Sequence, residues 1–351
     1  MSLIQPLPGG PLDIVGDIHG EIDALRALLL KLGYGQAGTH PQGRRLVFIG
    51  DLCDRGPDSP AVIQTVMAMV KNGNARAILG NHELNLLRDD AKDGSGWYFE
   101  KRAETDKRHY ADFARLEEAA RKGVQDFLAG LPIALERPDL RVVHAAWTAE
   151  EIGKVRSVPL GGVAEHFRRW HEESDASMEA SGLRERYQRE CEEYKERLEA
   201  KDDFDRFLDD TAEYDVASQM GNPFKVLTSG VEKKAGKQFF SSNKWRFTER
   251  VPWWDEYQEK TPVVIGHYWR TSQRIDRNSI GKGGPDLFDG VESHAWHGKH
   301  KNVFCVDFSV GKRWEERRDQ HQGESKFRLA ALRWPERTLV FDRGDEMSTV
   351  S

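Results

Sequence analysis

Leu12-Asp13-Ile14-Val15-Gly16-Asp17-Ile18-His19-Gly20 is the stretch on which the fold turns: a short apolar run stops abruptly at glycine and two chemically potent side chains. Beyond it Ile22, Leu25, Leu28, Leu29 and Leu32 recur at the spacing of a helix with one buried face. The stretch predicts strand, tight loop and helix. Arg44 to Ile49 repeats the theme, ends in Gly50-Asp51, and precedes a helix expected from Pro60 to Lys71 and closed by Gly73. Ala75 to Leu79 ends in Gly80-Asn81-His82-Glu83 and leads into helical spacing once more. Strands alternating with helices imply parallel βαβ units, and hence an α/β fold.

Further along, residues 98–130 are charged and helical in composition, and Arg141-Val142-Val143 forms a short strand ending at His144. Between 183 and 198, Leu183, Tyr187, Cys191, Tyr194 and Leu198 describe an amphipathic helix, which makes Cys191 a packing residue. Thr261 to Ile265 resumes the strand pattern and runs into Gly266-His267, so residues 150–258 read as a charged, largely helical insertion or cap within a single domain of residues 1–351. Val303 to Phe308 forms another buried strand, with Cys305 and Asp307. Phe327 to Trp334 and Arg337 to Phe341 look like a terminal hairpin.

Composition excludes several classes. The 351 residues are 38% hydrophobic with 10 Trp and 16 Phe, enough to fill a sizeable core, so disorder throughout is excluded. No run approaches the roughly 20 apolar residues of a membrane span, and Met1 to Gly10 lacks a secretory pattern, so a cytoplasmic protein is expected. Cys53, Cys191 and Cys305 are far apart, which suits a reducing compartment and argues against a cysteine-built zinc site. The net charge of −6 is uneven: residues 165–215 carry 18 acidic and 9 basic side chains. The stretch 225–250 is basic, through Lys225, Lys233, Lys234, Lys237, Lys244, Arg246 and Arg250, and is either a solvated surface loop or a lure for an anionic substrate. No uniformly basic face is evident, so nucleic acid is not expected as an obligate partner.

Five apolar runs each deliver a metal-competent side chain just after their last apolar residue: Asp17 with His19, Asp51, Asn81 with His82, His144, and His267. Loops beyond the carboxyl ends of strands in an open α/β sheet converge on one crevice. Mixed oxygen and imidazole donors suit manganese, with iron or zinc also compatible. Six ligands are too many for one open tetrahedral ion, but fit two ions sharing a carboxylate.

Gly16-Asp17-Ile18-His19-Gly20, Gly50-Asp51-Leu52-Cys53-Asp54-Arg55-Gly56 and Gly80-Asn81-His82-Glu83, followed by His144 and Gly266-His267, resemble the motifs of the calcineurin-like metallophosphoesterases, closest to the phosphoprotein phosphatase type. The resemblance implies a sandwich of two mixed β-sheets flanked by helices and carrying the helical insertion. It also implies a first metal held by Asp17, His19 and Asp51, and a second held by Asp51, Asn81, His144 and His267. His82 resembles the proton donor, Asp54 the carboxylate that orients it, and Arg55 the phosphate clamp. The expected activity is hydrolysis of phosphate monoesters, including phosphoserine or phosphothreonine, by direct attack of a metal-bridging hydroxide. A dinucleoside polyphosphate hydrolase is the alternative, and a non-catalytic metal-stabilised binding module the remote one. A phosphorylated protein or small molecule is the expected partner.

Several residues stay open in the sequence. Arg246, Arg250 and Arg270 are candidates for a second phosphate-binding arginine. Trp253, Trp254 and Trp269 either stack a base or fill the core of the cap. His294, His297 and His300 could gather round a further ion or lie in a loop, and Asp307 could support a metal-bound histidine or start a turn.

Overall fold

A computed structural model describes residues 1–200, 204–241, 244–273, 276 and 284–349, so residues 201–203 of the acidic segment and 242–243 of the insertion lie outside the described residues. The chain opens with β1 (Ile4–Pro6) and β2 (Leu12–Val15). It then alternates through α1 (Ile22–Leu32), β3 (Arg45–Phe48), α2 (Ser59–Lys71), β4 (Ala75–Ala77) and α3 (Asn81–Leu87). Helices α4 (Glu100–Tyr110) and α5 (Glu118–Ala129) lead to β5 (Ala134–Arg137) and β6 (Leu140–Val143). Next come α6 (Ala149–Val155), α7 (Val163–Ala180), α8 (Leu183–Glu193), α9 (Asp209–Met220) and α10 (Pro223–Ser229), then β7 (Glu232–Ser241) and β8 (Lys244–Arg250). The last elements are β9 (Val263–Ile265), β10 (Val303–Cys305), α11 (Arg313–Arg318), β11 (Ala330–Trp334), β12 (Thr338–Phe341) and β13 (Met347–Ser348).

Two mixed sheets face each other, one ordered β13-β12-β11-β2-β3-β4 and the other β1-β5-β6-β9-β10. Strands β2, β3 and β4 run parallel, as do β6, β9 and β10, while β11 is antiparallel to β2 and β5 to β6. Successive side chains of each central strand go to different cores. Leu12, Ile14, Val47, Val142, Val264 and Phe304 fill the space between the sheets. Val15, Leu46, Phe48, Val143, Val263, Ile265, Val303 and Cys305 pack outward with the helices. Period-two alternation with both faces covered explains why these strands read as continuous apolar runs rather than as alternating ones. Helix α2 starts where Asp58 accepts the N–H of Ala61 at 2.9 Å, with Pro60 in its first turn.

The insertion holds helices α6 to α10 and, from the basic stretch 225–250, a two-stranded antiparallel sheet of β7 and β8 that the reading of a largely helical segment did not include. Its pattern was hidden because alternate positions carry lysine, arginine and glutamate rather than apolar residues. A small third core of Phe204, Leu208, Ala212 and Phe247 joins the hairpin to α9, with Tyr194 and Leu198 against it. Helix α8 stops at Glu193, short of Leu198, and Cys191 packs with its Sγ 3.8 Å from Thr211 Oγ1. The edge strands β1 and β13 and the strand β5 carried too little apolar sequence to be foreseen. No helix among the described residues is long and apolar enough to cross a membrane.

One buried ionic network ties the sheet edge together. Asp13, wholly buried, accepts from Arg44 Nε at 3.0 Å, Arg44 Nη2 at 2.9 Å and the Tyr34 hydroxyl at 2.8 Å, while Arg44 also grips Glu336. Removing one partner strands the other charge in low dielectric. Arg44→Met is therefore expected to cost about 3 kcal/mol in urea unfolding; a loss under about 1 kcal/mol would show that the network is not what anchors β2.

Candidate metal centre

The candidate residues stand at the carboxyl ends of five strands, three from one sheet and two from the other; Asp51, Asn81 and His267 line one pocket of about 710 Å³, and Asp17 and His144 are buried against them. Asp17 follows β2, Asp51 follows β3, Asn81 begins α3 after β4, His144 follows β6, and His267 follows β9. Packing this tight excludes side chains at the joints. A Cβ on Gly266 would lie 2.1 Å from Asp17 Oδ1, and Gly50, at φ +94°, would bring one to 2.4 Å from Gly80 N.

Asp51 is the centre of the arrangement. Its Oδ2 lies 3.3 Å from His144 Nε2, 3.7 Å from His19 Nε2 and 3.8 Å from His82 Nε2. Two donor sets share it: His19, Asp51 and His82 form one, and Asp51, His144 and His267 the other, with ligand atoms within 4.8 Å of one another. The first set groups His19 and Asp51 with His82, the expected proton donor. Asp17, expected with the first ion, accepts the His267 N–H at 3.0 Å through Oδ2, while its Oδ1 is buried without a hydrogen-bond partner among the described residues, an acceptor left for a cation.

All four histidines are held through Nδ1 by an oxygen: His19 by Cys53 O at 3.0 Å, His82 by Asp54 Oδ2 at 2.6 Å, His144 by Ile49 O at 2.7 Å, and His267 by Asn81 Oδ1 at 2.9 Å. Tying one ring nitrogen to an oxygen fixes the tautomer and frees the other for a metal. Arg55 donates to His19 Nε2 and His82 Nε2, both at 3.1 Å, and since guanidinium has no acceptor both atoms present lone pairs. His267 Nε2 is buried and without a hydrogen-bond partner among the described residues. Burial and the Arg55 charge hold His19 well below the usual imidazole range, and burial with Arg250 does the same to His267. Burial opposes charge on His144, but the carboxylates of Asp51 and Asp17 outweigh it and draw its pKa up to about 10. Carboxylates and the lone-pair imidazoles of His19, His82 and His267 fit divalent cations, which would displace the proton that the carboxylates otherwise hold on His144.

Left-handed backbone gathers here. His19, Asp51, Asp54, Arg55 and His267 have φ of 48°, 48°, 73°, 69° and 67°, a conformation that costs a side-chain-bearing residue about 1–3 kcal/mol unless its surroundings impose it. Glu83 does much of the imposing. Wholly buried, it accepts the N–H groups of Asp51 and Leu52 at 2.8 Å and of Gly80 at 2.9 Å, so one carboxylate pins the loops after β3 and β4. Trp97 was likewise missed as a site residue: its Nε1 donates to Asp54 Oδ1 at 2.6 Å, and no local signal marks a tryptophan 43 residues away as a partner.

The remaining candidates separate. Arg250 lines the metal pocket, whereas Arg246 lines a neighbouring cavity. Arg270 is buried, donating to Cys305 O at 3.2 Å and Glu292 O at 2.7 Å, and so serves structure. Trp253 and Trp254 are core, while Trp269 lines both cavities. Asp307 accepts from Trp269 N at 2.9 Å and Ser309 N at 2.8 Å, so it braces loops and not a histidine. His297 is buried against Trp254 and Phe288, and among the described residues no donor set forms with His294 and His300.

Residues 10–303 match the calcineurin-like phosphoesterase family, and the chain belongs to it. A bis(5'-nucleosyl)-tetraphosphatase PrpE (asymmetrical) of Anoxybacillus flavithermus is 48% identical over 79 residues, 22% of this chain and 32% of that protein. The Bacillus subtilis protein of the same name is 37% identical over 151 residues, 40% of this chain and 60% of its own. The chain thus spans between a third and three fifths of the length of these relatives. A solved cold-active protein-tyrosine phosphatase from a psychrophilic Shewanella aligns over 99% of this chain and 83% of its own, at 15% identity and a TM-score of 0.47.

The Glu83 clamp is testable by itself. Glu83→Gln trades an acceptor for a donor among three N–H groups and is expected to weaken manganese affinity about 10–100-fold in competition with a fluorescent chelator. Unchanged affinity would show that the clamp does not set ligand geometry.

Proposed function

We propose that this protein hydrolyses phosphate esters with two divalent cations, manganese being the ion best matched to its oxygen and imidazole donors and iron or zinc compatible. The observation that carries the reading is Asp51, whose Oδ2 stands 3.7 Å from His19 Nε2 and 3.3 Å from His144 Nε2, between histidines assigned to different ions, beside a pocket that also holds Arg55 and His82. Asp17, His19, Asp51, Asn81, His144 and His267 would hold the ions, and the chemistry these supply when bound is an acidified water and neutralisation of phosphoryl charge.

The chain's own residues do the rest. Arg55 offers a planar, two-pronged guanidinium that grips two phosphoryl oxygens and fixes the group in line. His82 faces the same space with Nε2 while Asp54, itself held by Trp97, anchors Nδ1; a protonated ring so oriented delivers its proton to the departing oxygen. Arg250, in the wall of the same pocket, supplies a further cation for the phosphoryl group.

Two substrate classes fit this chemistry: phosphate monoesters, including phosphoserine and phosphothreonine, and dinucleoside polyphosphates. A second, cation-lined cavity beside the metal pocket favours the latter, as do the names of the curated relatives. Release of inorganic phosphate from a phosphopeptide and from nitrophenyl phosphate, and of nucleotides from diadenosine tetraphosphate, each with manganese, decides the matter. Turnover is expected to be greatest on the tetraphosphate, and absence of turnover on all three overturns the reading. His82→Asn is expected to slow an alkyl phosphate about 10²–10⁴-fold and nitrophenyl phosphate much less, because only the poor leaving group needs the proton. Equal slowing would remove His82 from the acid role.

A further inference from the structure

The hairpin of the insertion builds a second cavity of about 450 Å³, whose wall meets that of the metal pocket at Arg250 and Trp269. Lys225, Lys244 and Arg246 line it together with Arg250, against the carboxylates of Asp215, Glu232 and Glu249. Those carboxylates are occupied or muted. Glu249 lies 3.3 Å from Lys233, Glu232 accepts from Thr248 Oγ1 at 3.0 Å, and burial pushes the Asp215 carboxyl up toward its neutral form.

The cations are less well matched. Among the described residues Lys225 Nζ donates to the oxygens of Ser218, at 2.9 Å each, and Arg246 uses Nε on Ser241 O at 3.3 Å. Arg250 faces the Tyr268 ring, with its Cζ 5.7 Å from the centroid. Among the described residues Lys244, Arg246 and Arg250 form no ion pair with a carboxylate. Partial desolvation holds Lys225, Lys244 and Arg246 below their ordinary values, although the Asp215 carboxylate acts the other way, and an anion in the cavity offsets that desolvation. Lys225, Lys244, Arg246 and Arg250 outnumber the cavity's carboxylates, and Glu249 is already paired with Lys233, so a positive excess remains beside the phosphoryl site, as an anion subsite requires.

We infer that this cavity is a subsite for anionic groups beyond the phosphoryl group being cleaved, and that the substrate class is a phosphate ester extended by further phosphates. The inference rests on the phosphoesterase reading above and adds to it the location and residues of the distal binding step. Such a ligand lies with its reacting phosphoryl at Arg55, passes Trp269 and Arg250, and sets its remaining phosphates against Lys244 and Arg246. A simple monoester leaves the second cavity unused.

The test uses the manganese-loaded full chain, the wild type and the Lys244→Gln/Arg246→Gln variant, with Lys244→Gln alone as a surface change that spares the hairpin's packing. Calorimetric titration with inorganic tripolyphosphate is expected to show affinity falling about tenfold or more in the double variant and by a smaller factor in the single one. The ratio of kcat/KM for diadenosine tetraphosphate to that for nitrophenyl phosphate is expected to fall at least tenfold. Equal tripolyphosphate affinity in all three proteins overturns the subsite, as does an unchanged ratio. A wild type that hydrolyses none of these substrates, alongside a double variant that still loses tripolyphosphate affinity, supports the subsite and overturns the hydrolase reading instead.

Discussion

Three backbone N–H groups aimed at one buried carboxylate hold this centre in shape. Glu83 reaches from α3 to Asp51, Leu52 and Gly80, and so fixes the two loops in which Asp51, Asp54, Arg55, Asn81 and His82 stand. That clamp holds the left-handed backbone of Asp51, while Ser59 Oγ accepts the Asp54 N–H at 2.9 Å and Gly94 O the Arg55 N–H at 3.2 Å further along the same loop. The strain is offset by sheets whose every central strand is buried on both faces, which leaves the strand ends no room to relax.

The fold was legible to the extent that its strands are apolar and its helices periodic. β2, β3, β4, β6 and β9 stood out because burial on both faces makes them uniformly hydrophobic, and each ends at glycine or histidine. The hairpin of β7 and β8 was hidden because its apolar positions are few, Trp245 and Phe247 alternating with Lys244 and Arg246 in β8 while β7 opens with Glu232, Lys233 and Lys234. The same physics hid β1, a three-residue strand at a sheet edge.

At the site, the residues supplied by strand ends could be read one by one, because a metal-competent side chain after an apolar run is a local signal. What could not be read is how they share the work. Nothing in the sequence separates the place of Asp17 from that of His82, and only their neighbours, Gly266 beside one and Asp54 with Trp97 beside the other, distinguish them. Arg246, Arg250 and Arg270 were equivalent in sequence and separate only in space. Arg270 is enclosed by Phe288, Phe304 and Phe308, whereas the other two line cavities.

Parallel pairing of β6 with β9 joins segments with the whole insertion between them. The entropy of closing so large a loop grows only with the logarithm of its length, so the excursion could lengthen or shrink at little thermodynamic cost while the two ends stayed in register. Kinetically the account is different, since contacts between such distant segments form slowly and late. The cation cradle is complete only when His144 and His267 stand beside the donors of the first 83 residues, so ion capture by it reports that this distant pairing is in place.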